Sequence, residues 1–134
     1  MAFFTSPDRF YACLGDVLTR IQKNAPTVAD GVSSSRLLIR LKCTGPAAEI
    51  MLNGRQRPFQ ISFGPSKLRP DLEMELSGDT LHRLLLHEIT TKKAMAGGLI
   101  KVRGPAWKLS PLIGVIQAGR EFYPQALQKH GLAR

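Results

Sequence analysis

The sequence contains few cysteines, few acidic residues and no long hydrophobic run. Its two cysteines, Cys13 and Cys43, lack a CxxC partner and a neighbouring histidine, which excludes the usual zinc sites and leaves two small side chains that we expect to be buried. No stretch reaches the about 20 apolar residues that a membrane-spanning helix needs. The apolar start of the chain ends at Asp8 and Arg9 with no basic segment before it, so we expect no signal peptide and a cytoplasmic location.

Catalytic and metal-binding motifs are also missing. The chain has three histidines, and His82 and His87 are five residues apart on a predicted helix, a spacing that does not place them on one face. The serine run at residues 33–35 lies outside a nucleophile elbow. The glycines at positions 97, 98 and 104 match neither a phosphate-binding loop nor a dinucleotide fingerprint. We predict no metal site, no catalytic residue, no cofactor and no enzymatic activity.

One group of carboxylates could in principle do acid–base chemistry. Asp71, Glu73 and Glu75 alternate along a single predicted strand and would lie roughly 6–7 Å apart on one face. Some acid–base pairs use such a separation, but no positioned partner accompanies these three side chains. We therefore expect a solvated polar face.

What the chain has in excess is positive charge. The 134 residues hold 19 Lys and Arg against 10 Asp and Glu, a formal net charge of +9, and residues 91–134 contribute eight of the cations and one carboxylate. Such a surface attracts polyanions. The nearby aromatic residues Trp107, Phe122 and Tyr123 lie in apolar helical stretches and are not interleaved with the cations, which disfavours nucleic acid. An anionic membrane surface and a solvated face without a partner remain as alternatives.

The hydrophobic pattern predicts an α+β fold. A helix is expected over about residues 7–24, because Ser6 and Pro7 are typical of a helix start, apolar residues recur every three or four positions, and Pro26 ends the pattern. We expect a turn after Pro26. Period-two alternation predicts strands at 37–43, 48–52, 59–63, 72–76 and 100–103, and the short links between the first four favour an antiparallel meander with helices on one face.

The C-terminal third allows two interpretations. After a predicted helix at 79–89 and a shorter one at 90–96, apolar residues are dense but interrupted by Pro105, Pro111 and Gly114, with a last helix over about residues 119–129. Interrupted apolar helices could wall a ligand cavity over the sheet. They could also form an ordinary core, and the residue pattern alone favours the core.

Two segments carry a resemblance to a known family. The stretch from Pro70 to Leu81 (PDLEMELSGDTL) has an acid, an alternating strand and a serine before a helix, and the stretch from Ala96 to Gly104 (AGGLIKVRG) has a small-residue helix end before a short strand. In both segments, and in the order of elements over about residues 30–128, the chain resembles the sterol carrier protein 2 family, as a stand-alone domain of bacterial kind. It departs from the family pattern at Leu99, where lysine is frequent, and at Pro105, where Asp or Asn is frequent.

The resemblance implies a single lipid-binding domain over residues 1–134. Its fold would be a five-stranded, mostly antiparallel sheet with helices covering one face and an apolar tunnel between them. The implied function is binding or transfer of a fatty acyl, sterol-like or isoprenoid lipid. From the positive charge we add a basic face for anionic membrane and peripheral membrane contact. One alternative is an accessory protein that presents a lipid or quinone intermediate to a partner enzyme. A second is a basic nucleic-acid-binding protein.

The resemblance and the distribution of apolar and cationic residues in the C-terminal half give two sets of candidate site residues. The candidate tunnel liners are apolar residues of the C-terminal half, namely Leu81, Leu84, Leu85, Ile89, Met95, Leu99, Trp107, Leu112, Ile113, Ile116 and Phe122. The candidate membrane contacts are Lys92, Lys93, Lys101, Arg103 and Lys108.

Overall fold

The structure, a computed structural model, describes residues 3–132. Within these residues five strands, five α-helices and one 3₁₀ helix follow one another along the chain. Their order and bounds are α1 (Pro7–Asn24), α2 (Pro26–Ser35), β1 (Leu38–Thr44), β2 (Ala48–Asn53), β3 (Gln60–Phe63), β4 (Leu72–Ser77), α3 (Gly78–Leu85), α4 (Thr91–Ala96), β5 (Ile100–Arg103), the 3₁₀ helix (Ala106–Leu109) and α5 (Ser110–Lys129).

The five strands form one mixed sheet with the order β3-β2-β1-β4-β5. Three of the four pairings are antiparallel, which confirms the α+β class, but β1 and β4 pair in parallel, so the predicted meander is wrong. The reason is the long link between β3 and β4. It crosses the polar side of the sheet, where Arg40 Nη2 donates to the carbonyls of Ser66 and Leu68 at 3.0 and 2.8 Å, and brings β4 to the far side of β1.

The helix ends follow the local chemistry of the sequence. The Ser6 hydroxyl accepts a hydrogen bond from the Arg9 backbone N–H at 3.2 Å and starts α1. Ser77 caps α3 in the same way through Thr80, at 3.0 Å, and Thr90 caps α4. The apolar stripe of α1 is buried, and its members are Phe10, Cys13, Leu14, Val17, Leu18 and Ile21.

Two helices differ from the prediction. Residues 26–35 form α2, not a turn, because proline fits the first turn of a helix and Ala29 and Val32 are buried on one side. The interruptions predicted at Pro111 and Gly114 are wrong as well, whereas Pro105 does separate β5 from the 3₁₀ helix. After the 3₁₀ helix the chain forms one helix, α5, that begins next to Pro111, where a proline needs no N–H partner, and continues through Pro124.

Helices α1, α3 and α5 pack over one face of the sheet and enclose the main hydrophobic core. The facing side chains of the three central strands are Ile39, Leu41, Cys43, Ala48, Ile50, Leu52, Leu72, Met74 and Leu76, and all of them are buried. Among residues 3–132 no helix is long and apolar enough to cross a membrane.

Candidate functional site

A cavity lies between the apolar face of the sheet and helices α1, α3 and α5. Every residue that lines it carries an aliphatic side chain: Leu14, Val17 and Leu18 from α1, Leu41, Ile50 and Leu52 from the sheet, Leu81 and Leu85 from α3, and Leu112, Val115 and Ile116 from α5. Its volume is about 30 Å³. This equals roughly the share of one water molecule in the liquid, whereas a cavity of about 150 Å³ holds a benzene ring. In this structure the helices therefore lie almost closed against the sheet.

The structure distributes the candidate tunnel liners over three environments. Four of them line the cavity: Leu81, Leu85, Leu112 and Ile116. Leu84 and Phe122 are buried elsewhere in the core, and Ile89 and Ile113 are half-buried at its edge. Met95, Leu99 and Trp107 lie outside the cavity and are exposed, with Trp107 at 75%.

Sequence reasoning missed the other side of the cavity. Leu14, Val17 and Leu18 belong to the helical stripe of α1, and Leu41, Ile50 and Leu52 belong to the apolar alternation of the strands. Both signals were visible in the sequence. They identify core faces, but they do not indicate which core positions border an unfilled space.

Both cysteines are buried, as their positions in apolar stretches predict. Burial raises the pKa of Cys13 to about 12, and the carboxylate of Asp16 adds to the rise. Burial likewise raises the pKa of Cys43 to about 12, with a contribution from Asp79. At neutral pH both thiols are therefore protonated, which is the less reactive form of a cysteine.

A polar pair is enclosed beside the cavity, where α3 meets α5. His82 Nδ1 and the Tyr123 hydroxyl are 2.6 Å apart, and the ring of Phe3 stacks on His82 with centroids 3.6 Å apart. Desolvation raises the pKa of Tyr123, so its hydroxyl stays neutral. Within residues 3–132 no group of His, Cys, Asp or Glu side chains could hold a metal ion. The contact between His82 and Tyr123 joins two helices that line the cavity.

The other face of the sheet carries a partly buried ion-pair network, and this corrects the expectation of a solvated carboxylate row. Glu73 is buried and forms two ion pairs. Its Oε1 lies 3.3 Å from Arg40 Nη1, and its Oε2 lies 3.7 Å from Arg103 Nε. Arg40 Nε also lies 3.2 Å from Glu49 Oε1, and Lys42 pairs with Glu75 at 3.8 Å. These carboxylates are paired with cations of neighbouring strands and are not arranged as an acid–base pair.

Asp71 stands at the end of this row, beside an open groove. It accepts a hydrogen bond from the Leu38 backbone N–H at 2.8 Å, and this bond, together with the Arg55 guanidinium at 2.9 Å, lowers the pKa of the Asp71 carboxyl. The groove has a volume of about 390 Å³ and is lined by Arg40, Arg69, Pro70, Asp71, Glu73, Arg103 and Gly104. Its lining is charged, unlike that of the aliphatic cavity on the opposite side of the sheet.

The candidate membrane contacts do not share one element. Lys92 and Lys93 lie exposed on α4, Lys101 and Arg103 lie exposed on the polar side of β5, and Lys108 is half-buried in the 3₁₀ helix. Lys108 Nζ lies 5.4 Å from the centroid of the Trp107 ring. The structure therefore separates the α4 lysines, next to the start of β5, from Arg103 and Lys108 at its other end.

No protein-family model matches this chain, and no match is found among curated proteins. Solved structures do match it. Sterol carrier protein 2 from Yarrowia lipolytica, in its apo form, has a TM-score of 0.61 at 17% identity over 78% of this chain and 88% of that chain. The palmitated SCP2L2 protein from Aedes aegypti has a TM-score of 0.60 at 16% identity, over 79% of this chain and 92% of that one.

A third structure, titled UbiJ-SCP2 ubiquinone synthesis protein, has a TM-score of 0.60 at 15% identity and covers 86% of this chain and 94% of that chain. At such identities the likeness concerns the fold. It confirms the resemblance seen in residues 70–104 as a likeness in architecture.

Proposed function

We propose that this chain, which has the sterol carrier protein 2 fold, binds the apolar tail of a lipid between its sheet and helices α1, α3 and α5. The observation that carries the proposal is the cavity at this position, whose lining is aliphatic throughout. A lining without polar groups can desolvate a hydrocarbon tail but cannot activate a bond. We therefore propose a lipid-binding or lipid-carrying protein and not an enzyme.

The binding free energy would come from burial of the tail. Each methylene removed from water contributes about 0.8 kcal/mol, so an acyl chain can bind without a strong polar anchor. Because the binding free energy changes little with each methylene added or removed, we expect weak discrimination among fatty acyl, sterol-like and isoprenoid tails. Because the cavity measures about 30 Å³, binding requires α1, α3 and α5 to move away from the sheet. Their contacts around the cavity are aliphatic and can re-form around a tail.

The solved structures support this proposal. The Aedes aegypti protein of the same fold was solved with palmitate, and the Yarrowia lipolytica protein was solved in its apo form. The fold is thus found both with a fatty acid and without ligand. We infer the same pair of states for this chain, with the nearly closed cavity as its apo state.

A second candidate function is that of an accessory protein. The ubiquinone synthesis protein shares the fold over 86% of this chain, which favours a role in presenting a lipid or quinone intermediate to a partner enzyme. The two candidates differ in what binds the protein. A free carrier moves a lipid between two populations of vesicles by itself, whereas an accessory protein is recovered in a stable complex with its enzyme.

We further propose reversible contact with anionic membrane, and with it a cytoplasmic, peripheral location. The support is electrostatic. The net charge is +9, and each Lys or Arg near an anionic bilayer contributes about 1 kcal/mol of attraction. Of the candidates Lys92, Lys93, Lys101, Arg103 and Lys108, we favour Arg103 and Lys108, because the exposed Trp107 lies beside Lys108. Nucleic acid is the weaker alternative, because Phe122 and Tyr123 are buried in the core and offer no stacking surface.

The test of the lipid site is palmitate binding by a variant that fills the cavity. Val115→Phe places an aromatic ring in the space that the tail would occupy. If the ring displaces two methylenes of the tail, at about 0.8 kcal/mol each, we expect palmitate affinity to fall about tenfold. Native mass spectrometry measures the bound fraction, and circular dichroism checks that the variant folds.

The matched control is Val28→Phe, the same change at a half-buried position of α2 that does not line the cavity. We expect it to bind palmitate like the parent protein. Equal affinity of the Val115→Phe variant and the parent would place the lipid elsewhere. A parent protein that takes up neither palmitate, a sterol nor an isoprenoid quinone would contradict the proposed function.

A further inference from the structure

One end of the sheet collects cationic side chains from segments that are far apart in the sequence. The strand registers place the start of β1, the end of β2, the start of β3, the start of β4 and the end of β5 side by side. The segments attached there contain Arg36 before β1, Arg55 after β2, Arg69 before β4, and Arg103, Trp107 and Lys108 at and after the end of β5. We call these six residues the basic end.

Contacts with two carboxylates hold this surface together. Arg55 Nη2 lies 2.9 Å from Asp71 Oδ2, and Asp71 is anchored by the backbone N–H of Leu38. Lys108 is close enough to contribute to the lowered pKa of Asp71. Arg103 Nε lies 3.7 Å from Glu73. Arg55 and Lys108 are therefore neighbours around Asp71, and Arg69 and Arg103 line the same groove.

The cations of the basic end exceed what these carboxylates neutralise. Glu73 is already shared with Arg40, and the side chain of Arg103 is 80% exposed. Within residues 3–132 neither Arg36 nor Arg69 makes an ion pair, and both side chains are exposed. A surface of this kind keeps a positive potential and attracts a partner with many negative charges.

An exposed tryptophan accompanies these cations. Trp107 is 75% exposed, and it is the only tryptophan of the chain. Leu68, 55% exposed, lies one residue before Arg69. Tryptophan with basic neighbours is the composition that favours the boundary between lipid headgroups and acyl chains. The 3₁₀ helix that carries Trp107 leads directly into α5, whose first cavity-lining residue, Leu112, follows five positions later.

We propose that the basic end docks on anionic membrane, with Trp107 at the level of the headgroups and the guanidinium groups of Arg69 and Arg103 on lipid phosphates. This inference rests on the proposed function, because a membrane is where a hydrophobic tail would be collected or released. Charge complementarity and the presence of one exposed tryptophan at the basic end favour a bilayer over single-stranded nucleic acid, which binds on platforms of several stacked aromatics. The docked surface would place the cavity-lining start of α5 next to the lipid.

The sole tryptophan makes the inference measurable on the unmodified protein. With vesicles of phosphatidylcholine that contain phosphatidylglycerol, we expect Trp107 emission to shift to shorter wavelength and to be quenched by lipids brominated on their acyl chains. With vesicles of phosphatidylcholine alone we expect neither effect. Added salt should reverse the shift, because screening weakens the attraction between exposed charges. Unchanged emission with anionic vesicles, at low salt, would overturn the proposal.

Two charge-matched double variants locate the surface. Arg69→Gln with Lys108→Gln removes two cations of the basic end, and we expect the vesicle partition coefficient to fall about 30-fold. Lys92→Gln with Lys93→Gln removes two cations of α4, and we expect a decrease of less than about threefold. An equal decrease for both pairs would show attraction by net charge alone and would overturn the assignment to the basic end.

Palmitate uptake from solution, measured on the same variants, separates this inference from the proposed function. Neither pair of substitutions touches the cavity lining, so we expect uptake to match the parent protein. Palmitate uptake without any vesicle response would contradict the proposed docking surface and support the lipid site. A vesicle response without palmitate uptake would support the docking surface and contradict the lipid site.

Discussion

At the scale of single residues, Arg40 organises the polar side of the sheet. Its side chain contacts Glu49 on β2 and Glu73 on β4, and it donates two further hydrogen bonds to carbonyls of the segment that links β3 to β4. One guanidinium thus connects three parts of the chain. Because Glu73 is buried, loss of Arg40 would leave a carboxylate that is poorly hydrated and poorly paired.

We expect Arg40→Leu to lower the free energy of unfolding by about 3–5 kcal/mol, the usual effect of removing one partner of a buried ion pair. Urea denaturation followed by circular dichroism measures it. Arg69→Leu, which removes an exposed arginine without an ion pair in residues 3–132, should change the same quantity by less than about 0.5 kcal/mol. If both variants were equally stable, the network would have no structural role.

The network also shows what local sequence reasoning lacks. Asp71, Glu73 and Glu75 alternate on one strand face, and alternation correctly assigns them to the polar side. Whether that side is solvated depends on the neighbouring strands. Arg40 stands opposite Glu73 only because β1 and β4 pair in parallel, a contact between residues 33 positions apart. No short-range pattern contains this information.

At the scale of elements, α3 depends on its first turn. Ser77 caps the helix by accepting from the Thr80 backbone N–H at 3.0 Å, and its hydroxyl also donates to the Thr80 hydroxyl at 2.9 Å. Leu81 and Leu85 of this helix line the cavity. The cap therefore fixes where one wall of the site begins.

Removing the cap should loosen this wall. We expect Ser77→Ala to lower the free energy of unfolding by about 1 kcal/mol, as for other helix caps. Ser62→Ala, an exposed position of β3, is the control and should have little effect. Thermal unfolding measures both variants. A Ser77→Ala protein as stable as the control would show that packing of Leu81 and Leu85 alone holds the helix.

Elements with strong local signals could be predicted, and those that depend on distant contacts could not. Caps, prolines and periodicity indicate α1, α3, α4 and the strands, because each signal acts within a few residues. Pro26 and Pro111 are ambiguous, since a proline can end one helix or begin the next. In both places the proline begins a helix, α2 after Pro26 and α5 at Pro111, because the apolar residues that follow are buried by tertiary contacts.

At the scale of the whole molecule, the candidate site is a core that is not quite filled. Apolar periodicity identifies core faces, and four of the sequence-predicted liners border the cavity. The same periodicity cannot separate a filled core from a site, because both need aliphatic residues facing inward. The proposed function takes this space as a lipid site, and palmitate binding decides between the two interpretations.

The two faces of the molecule then have complementary roles in the proposed function. The aliphatic cavity lies on the helix-covered side of the sheet, and the charged groove lies on its polar side. The basic end lies next to both the groove and the cavity. Arg103 lines the groove, and Trp107 precedes α5, which borders the cavity. Binding of a tail and contact with anionic lipid are thereby assigned to different residues, which separate variants can test.

The most direct test of the lipid site is solution NMR of the protein with palmitate labelled with ¹³C along its chain. Intermolecular nuclear Overhauser effects report which methyl groups lie within contact distance of the tail. We predict contacts to Leu41, Leu85 and Val115, which border the cavity from the sheet, α3 and α5. Contacts confined to the exposed side chains of Leu68 and Leu99, or no contacts at all, would contradict a lipid site between the sheet and the helices.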